Sequence, residues 1–363
     1  VSSLRGALSG ADVIVCCGPG GVGKTTASAT LALELAEANK RVVVLTVDPA
    51  RRLADALGIE QPGAEPVRVP GVEGGSLDAL MLDAEGTFDD LIDTYATSPE
   101  QASSIKSNRL YKSLVSALGG TQEYMAMEKL YELCESGRYD VVVVDTPPTR
   151  NALDLLDAPR RLTSFLENRL FRALLAPTRL YLRAVSVATR ALLSTIGSVA
   201  GAELVSDAVT FFQAFAGMEE GFTQRANAVH ERLRAPGTAF VLVTSPRRDA
   251  IGEARFFADR LAETGMTTAG VIVNRVQPRF WLGALPADLR AASGALGALA
   301  ANLESLEQVA TSEQAALGEL RAAVAPAPLA CIPLRSDEIH DVSGLRRLAQ
   351  HLEDGDEQAP AAG

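Results

Sequence analysis

The chain has 363 residues, 47% of them hydrophobic, with 34 Lys and Arg set against 45 Asp and Glu. That length exceeds the roughly 250–300 residues at which one hydrophobic core stops growing, so a large domain carrying a smaller subdomain is expected. A net charge of −11 argues against a nucleic-acid partner, because counterion-release binding needs clustered Lys and Arg.

Val13–Cys17 is a short apolar run that reads as a strand, and Gly18-Pro19-Gly20-Gly21-Val22-Gly23-Lys24-Thr25 follows it and fills the pattern G-x-x-x-x-G-K-[ST]. The helical stretch after it runs to Ala38. Glycines let the backbone curl so that its N–H groups point at phosphate oxygens, while Lys24 reaches the β/γ-phosphates and Thr25 ligates Mg²⁺. A helix N-terminus adds its dipole and unpaired donors. Gly20, Gly21, Val22, Gly23, Lys24, Thr25 and Thr26 are therefore the candidate nucleotide-binding residues.

Val42–Val47 reads as the next strand, and strand–helix–strand order implies a parallel sheet covered on both faces. The expected fold class is α/β, a P-loop NTPase with a mostly parallel central sheet flanked by helices. Pro49 stops the strand, a short helix ends at Gly58, and residues 59–76 read as a surface loop. Leu77–Asp83 is a further candidate strand. Helices are predicted over Ala84–Thr97, Gln101–Leu118 and Thr121–Ser136. Tyr139–Asp145 then gives four valines ending in an acid, where P-loop proteins hold the Mg²⁺-side carboxylate, so Asp145 is the second candidate metal residue beside Thr25.

From Ala152 to about Leu233 the sequence carries no strand signal, only apolar positions at helical spacing broken by Pro159, Pro177 and Gly201. Leu180 to Met218 is rich in apolar residues, yet Arg179, Arg183, Arg190, Glu203 and Asp207 interrupt it too often for a membrane span. Two readings stand: buried helix packing, or an apolar groove or membrane-facing surface. Strands resume at Ala239–Thr244 and Ala269–Asn274 around a helix over Asp249–Thr264, so the helical region is an insertion. Ala287–Leu320 reads as a pair of helices, Leu329–Ile332 as the last strand, Val342–Leu352 as an amphipathic helix and residues 354–363 as a disordered tail. The expected domains are a core over 1–150 with a helical excursion at about 84–137, an inserted helical subdomain over 151–235, and the second part of the core over 236–353. Cys16, Cys17, Cys134 and Cys331 lack C-x-x-C spacing and three fall in expected strands, which reads as reduced, structural thiols of a cytosolic protein. No secretory signal is read at the N-terminus.

Four stretches together resemble the ArsA/guided-entry family of deviant-Walker ATPases. Residues 18–25 match the family's phosphate loop G-K-G-G-V-G-K-T at every position but one. Val47-Asp48-Pro49-Ala50-Arg51-Arg52-Leu53-Ala54-Asp55-Ala56-Leu57 resembles switch I, Asp145-Thr146-Pro147-Pro148-Thr149-Arg150-Asn151-Ala152-Leu153 resembles switch II, and Val273-Asn274-Arg275 and Pro333-Leu334 resemble the adenine-binding stretches. The resemblance implies ATP/ADP and Mg²⁺ as ligands, Asp48 and Lys24 as catalytic residues, and Asn274 and Pro333 at the adenine. Asp48 would orient the attacking water and Lys24 would stabilise charge on the transferred phosphoryl group.

Pro19 stands where the family carries a second lysine that reaches the neighbour's nucleotide across a dimer. Arg51, Arg52 and Arg150 are the candidate substitutes. The implied partners are accordingly a homodimer, or a heterodimer with a related lysine-bearing ATPase, together with a hydrophobic client or membrane protein and no nucleic acid. A weakly active regulatory subunit is the alternative function, and a Par/Min-type positioning ATPase the outsider. The guided-entry zinc clamp needs a C-x-x-C that is absent, so no zinc is expected. The expected location is cytoplasmic, with a peripheral membrane position as the variant.

Overall fold

A computed structural model describes residues 3–48, 52–60, 62–109, 111, 121–147, 158, 160, 163–164, 210–211, 214–280 and 285–353. The chain divides into two compact units. One comprises Val1–Leu82, Glu132–Leu153 and Arg234–Gly363, the other Asp83–Tyr131 and Asp154–Leu233.

The first unit is built on an eight-stranded sheet in the order β3-β4-β2-β5-β1-β6-β7-β8. Its strands are β1 (Val13–Cys17), β2 (Arg41–Thr46), β3 (Val67–Arg68), β4 (Ser76–Met81), β5 (Val141–Asp145), β6 (Thr238–Thr244), β7 (Thr268–Val276) and β8 (Leu329–Pro333). All neighbours pair in parallel except β3, which runs antiparallel on β4. Every residue of β1 and β5 is buried. A strand buried on both faces needs no polar alternation, which is why these runs are continuously apolar in sequence. On one face Ile14, Cys16, Val42, Val44, Val141 and Val143 join a single core. That core includes Leu31 and Leu33 of α2 (Lys24–Glu37) and Leu345, Leu348 and Leu352 of α11 (Val342–Glu353).

The remaining helices of this unit are α1 (Leu4–Leu8), α3 (Arg52–Leu57), α8 (Arg248–Glu263), α9 (Ala287–Arg290) and α10 (Gly294–Val324). α8 packs on β6, β7 and α10. α1 starts at Ser3, whose hydroxyl accepts the Gly6 N–H, and buries Leu4 and Leu8. The pair of helices expected over 287–320 is one short turn and one 31-residue helix. No proline falls in 287–324, and Gly297 and Gly318 stay helical. The loop expected over 59–76 contains β3, and the strand expected from Tyr139 begins at Val141, because Asp140 instead grips Arg41.

The second unit contains α4 (Ala84–Tyr95), α5 (Pro99–Ser107), most of α6 (Thr121–Glu135) and α7 (Glu219–Arg234). Ser98 caps α5 by accepting the Gln101 N–H, and Pro99 takes the first helical position. Phe88, Tyr95, Tyr111, Phe211, Phe215 and Phe222 make a ring cluster with centroid spacings of 5.0–6.5 Å. Arg225 pairs with the buried Glu128 at 2.6 Å and lies 4.0 Å over the Tyr131 ring. The apolar stretch 180–209, Arg51, Arg150 and the tail 354–363 lie outside the described residues.

Candidate functional site

The loop of residues 18–25 leaves the carboxyl end of β1 and enters α2. Gly23 sits at the N-cap with φ 92°, and a Cβ there would lie 2.3 Å from Nδ2 of Asn274. Gly18, at φ 147°, passes Val243 so closely that a Cβ would meet its carbonyl oxygen at 2.0 Å. Only glycine satisfies both the left-handed angle and the close approach. No side chain caps α2, which leaves its first N–H donors facing the loop.

Lys24 is 7% exposed and folds back over its own loop, Nζ donating to the carbonyls of Gly18 at 3.0 Å and Pro19 at 2.8 Å. Burial lowers its pKa, opposed by the negative charge of Asp145. Asp145 ends β5 in register with Thr46 of β2 and Cys16 of β1. Thr46 Oγ1 donates to its Oδ2 at 3.0 Å and accepts the Asp48 N–H at 3.3 Å, so one hydroxyl ties the two acids together. Burial raises the Asp145 pKa to about 6, against the opposing pull of the nearby Thr25 and Thr46 hydroxyls and the Lys24 ammonium. Its Oδ1 is buried with no hydrogen-bond partner. A buried, unsatisfied carboxylate oxygen is costly. A hard divalent cation prefers oxygen donors, so Asp145 with the Thr25 hydroxyl is a donor set that fits Mg²⁺.

Asp48 accepts from Arg52 Nη1 at 3.1 Å, the arginine side chain being 61% exposed and the aspartate 16%. A cavity of about 430 Å³ opens here, lined by Gly20, Gly21, Gly23, Lys24, Thr25, Thr26, Asp48, Arg52, Thr146, Arg275, Ile339 and His340 among others. A second of about 250 Å³ lies along Pro19, Gly20, Gly21, Val22, Arg247, Arg275 and Glu313. Most of the residues singled out in the loop, together with Asp48, thus converge on one space. Asp145 is 1% exposed and lines neither cavity. Pro333 ends β8 opposite Val276 and also lines neither.

Asn274 donates from Nδ2 to the Val22 carbonyl at 2.9 Å. Its neighbour Arg275 lies at a register shift between Asn274 and Val276, with φ 63°, and Nη1 donates to the Gly21 carbonyl at 3.3 Å. Thr46, Thr146 and Arg275 are site residues that sequence reasoning passed over. Thr46 and Thr146 lie within two residues of Asp48 and Asp145, and that adjacency is the signal that could have found them. Thr146 Oγ1 donates to the Cys16 carbonyl at 2.8 Å. Burial raises the Cys16 thiol to about 12, which keeps it a neutral core group. Among the described residues no group of three or more His, Cys, Asp and Glu side chains could hold a metal ion, and no helix is long and apolar enough to cross a membrane.

Comparison with known proteins finds two kinds of likeness. The family model for the anion-transporting ATPases matches residues 11–354. The ATPase GET3 of Malassezia globosa is 35% identical over 146 residues, 40% of this chain and 42% of that protein. The ATPase get3 of Aspergillus terreus is 34% identical over 143 residues, 39% and 41% respectively. The chain therefore spans about two fifths of the length of these curated relatives.

Proposed function

The chain belongs to the anion-transporting ATPase family, and from that premise we propose that it binds ATP with Mg²⁺ at residues 18–25 and hydrolyses it to ADP and phosphate. The observation that carries this reading is the convergence of Lys24, Thr25 and Asp48 on one cavity. Thr25 and Asp145 would hold the Mg²⁺, which when bound neutralises charge on the β- and γ-phosphates. Lys24 exchanges its two loop carbonyls for phosphoryl oxygens. Asp48 accepts a hydrogen bond from water and holds it in line with the γ-phosphorus. The water oxygen bonds to that phosphorus as the bond to the β-bridging oxygen breaks. Phosphoryl transfer of this kind needs positioning and electrostatics more than covalent help.

Asp48 meets substrate and also holds Arg52 at the start of α3, so a γ-phosphate contact made in one state only can bias α3. That movement would serve dimer and helical-subdomain rearrangement for a hydrophobic client or a membrane partner. Asn274 and Pro333 are assigned to the adenine end.

A second reading is favoured by Pro19, whose side chain carries no cation at the second position of the loop. On that reading the chain turns over slowly and pairs with a lysine-bearing relative. Steady-state ATP hydrolysis by the purified chain and by Pro19→Lys, with mass followed in solution with and without Mg²⁺ and ATP, separates the two. Ordinary turnover by the unmodified chain supports the self-sufficient enzyme. Bound ATP that is hydrolysed only after Pro19→Lys supports the regulatory subunit, and absence of ATP binding overturns both.

A further inference from the structure

β7 ends in an irregularity that its sequence does not announce. In a regular strand consecutive side chains point to opposite faces, so Asn274 and Arg275 could not both reach one loop. They do so here, through the Val22 and Gly21 carbonyls, because the ladder to β8 shifts register between Asn274 and Val276 and Arg275 takes a left-handed φ of 63°. A bulge re-aims a side chain, and a non-glycine residue in this region costs free energy that persists where function requires the aim.

The guanidinium so aimed is little used by the protein itself. Among the described residues it makes one hydrogen bond, to the Gly21 carbonyl, and no ion pair. Nearby arginines are committed: Arg52 to Asp48 at 3.1 Å and Arg247 to Asp249 at 2.7 Å. Glu313, which lines the smaller cavity with Arg275, spends a carboxylate oxygen on the Gln277 N–H at 2.7 Å. Arg275 also lines the larger cavity with Lys24, Thr25 and Asp48.

We infer that Arg275 is a phosphate ligand acting within its own chain. When ATP enters, its guanidinium leaves the Gly21 carbonyl and donates to non-bridging oxygens of the β- and γ-phosphates. The planar fork of arginine suits such oxygens, donating two parallel hydrogen bonds to them. It supplies a cation at a loop whose second residue is Pro19. This inference rests on the nucleotide reading above.

The test titrates ATP, ADP and AMP, with Mg²⁺, against the full chain and against Arg275→Gly, Arg275→Gln and Arg275→Lys, with thermal melting of each protein. Glycine adopts φ 63° freely, so Arg275→Gly should melt no lower than the parent. Its ATP affinity should fall about 10- to 100-fold, its ADP affinity less, and its AMP affinity should not change. Arg275→Gln, which keeps bulk but not charge, should match it, and Arg275→Lys should recover part of the loss. Parental ATP affinity in either neutral variant overturns the inference alone. Equal losses for all three nucleotides also overturn it, since they would mean a reshaped loop. Failure of the parent chain to bind ATP overturns the nucleotide reading and this inference together.

Discussion

Asp145 is ionised at neutral pH only against its burial, since its folded pKa is about 6 and its ordinary value 3.8. A carboxyl whose pKa rises on folding adds stability below its unfolded value and loses it as pH climbs through the folded one. The loss is on the order of 2–3 kcal/mol for this buried group. Asp145→Asn should therefore melt higher than the parent at pH 8 without ligand, with the gap closing by about pH 4 to 5. Mg²⁺ with ATP should raise the parent's melting temperature more at pH 8 than at pH 5. The two melting series, each with and without Mg²⁺ and ATP, measure both effects. Lys24→Ala should weaken ATP binding or abolish turnover, whereas Asp48→Asn should retain binding and lose hydrolysis, which equilibrium titration and phosphate release distinguish. Lys24 was singled out by the spacing of the loop pattern, Asp145 by an acid ending a run of valines and Asp48 by the family resemblance, and Lys24 and Asp48 line one cavity. Thr46 was not singled out, because a threonine ending a valine-rich strand looks like strand preference until its two hydrogen bonds are seen.

Elements with one dominant signal were read closely. β1 has the bounds expected of it, since five apolar residues meet a glycine loop. α1 and β3, of five and two residues, are too short to carry a period and were passed over. The bulge in β7 was invisible for a different reason. Its sequence, Val273-Asn274-Arg275-Val276, sets two polar residues side by side, which reads as the end of a strand rather than as a shift of register within one. Gly23 and Asn274 offer a test at this scale. Gly23→Ala must place a Cβ at φ 92° where Nδ2 of Asn274 now lies 2.3 Å away, which should cost roughly 1–3 kcal/mol of stability. Adding Asn274→Ala removes the clash but also the bond to the Val22 carbonyl. A double-mutant cycle by denaturant unfolding should show non-additivity of about 0.5 kcal/mol or more, and strict additivity would sink the contact as described.

At the scale of the molecule, the candidate site lies at the carboxyl ends of parallel strands, where β1 runs into the loop, β2 and β5 meet through Thr46 and Asp145, and Asn274 of β7 reaches the Val22 carbonyl. Acidic balance was legible from composition, and it carries a prediction that sets this chain apart from DNA-positioning ATPases. With a net charge of −11, the chain should give no duplex-DNA retention in a mobility assay at physiological salt, with or without ATP. Retention that weakens steeply with salt would reverse that assignment. The inserted helical subdomain expected over 151–235 falls mostly outside the described residues, and apolar positions at helical spacing do not say which face meets water.

Lys24 resting on the Gly18 and Pro19 carbonyls gives the loop a threshold. The ammonium already has two good acceptors, so an incoming anion must offer more than they do before the lysine lets go. A lone orthophosphate offers charged acceptors to the ammonium but leaves part of the turn's amide donors unfilled. On the proposed nucleotide reading a chain of linked phosphates would replace both carbonyls and also fill the amide donors around the turn, so that the loop would discriminate by anion length before any base is recognised.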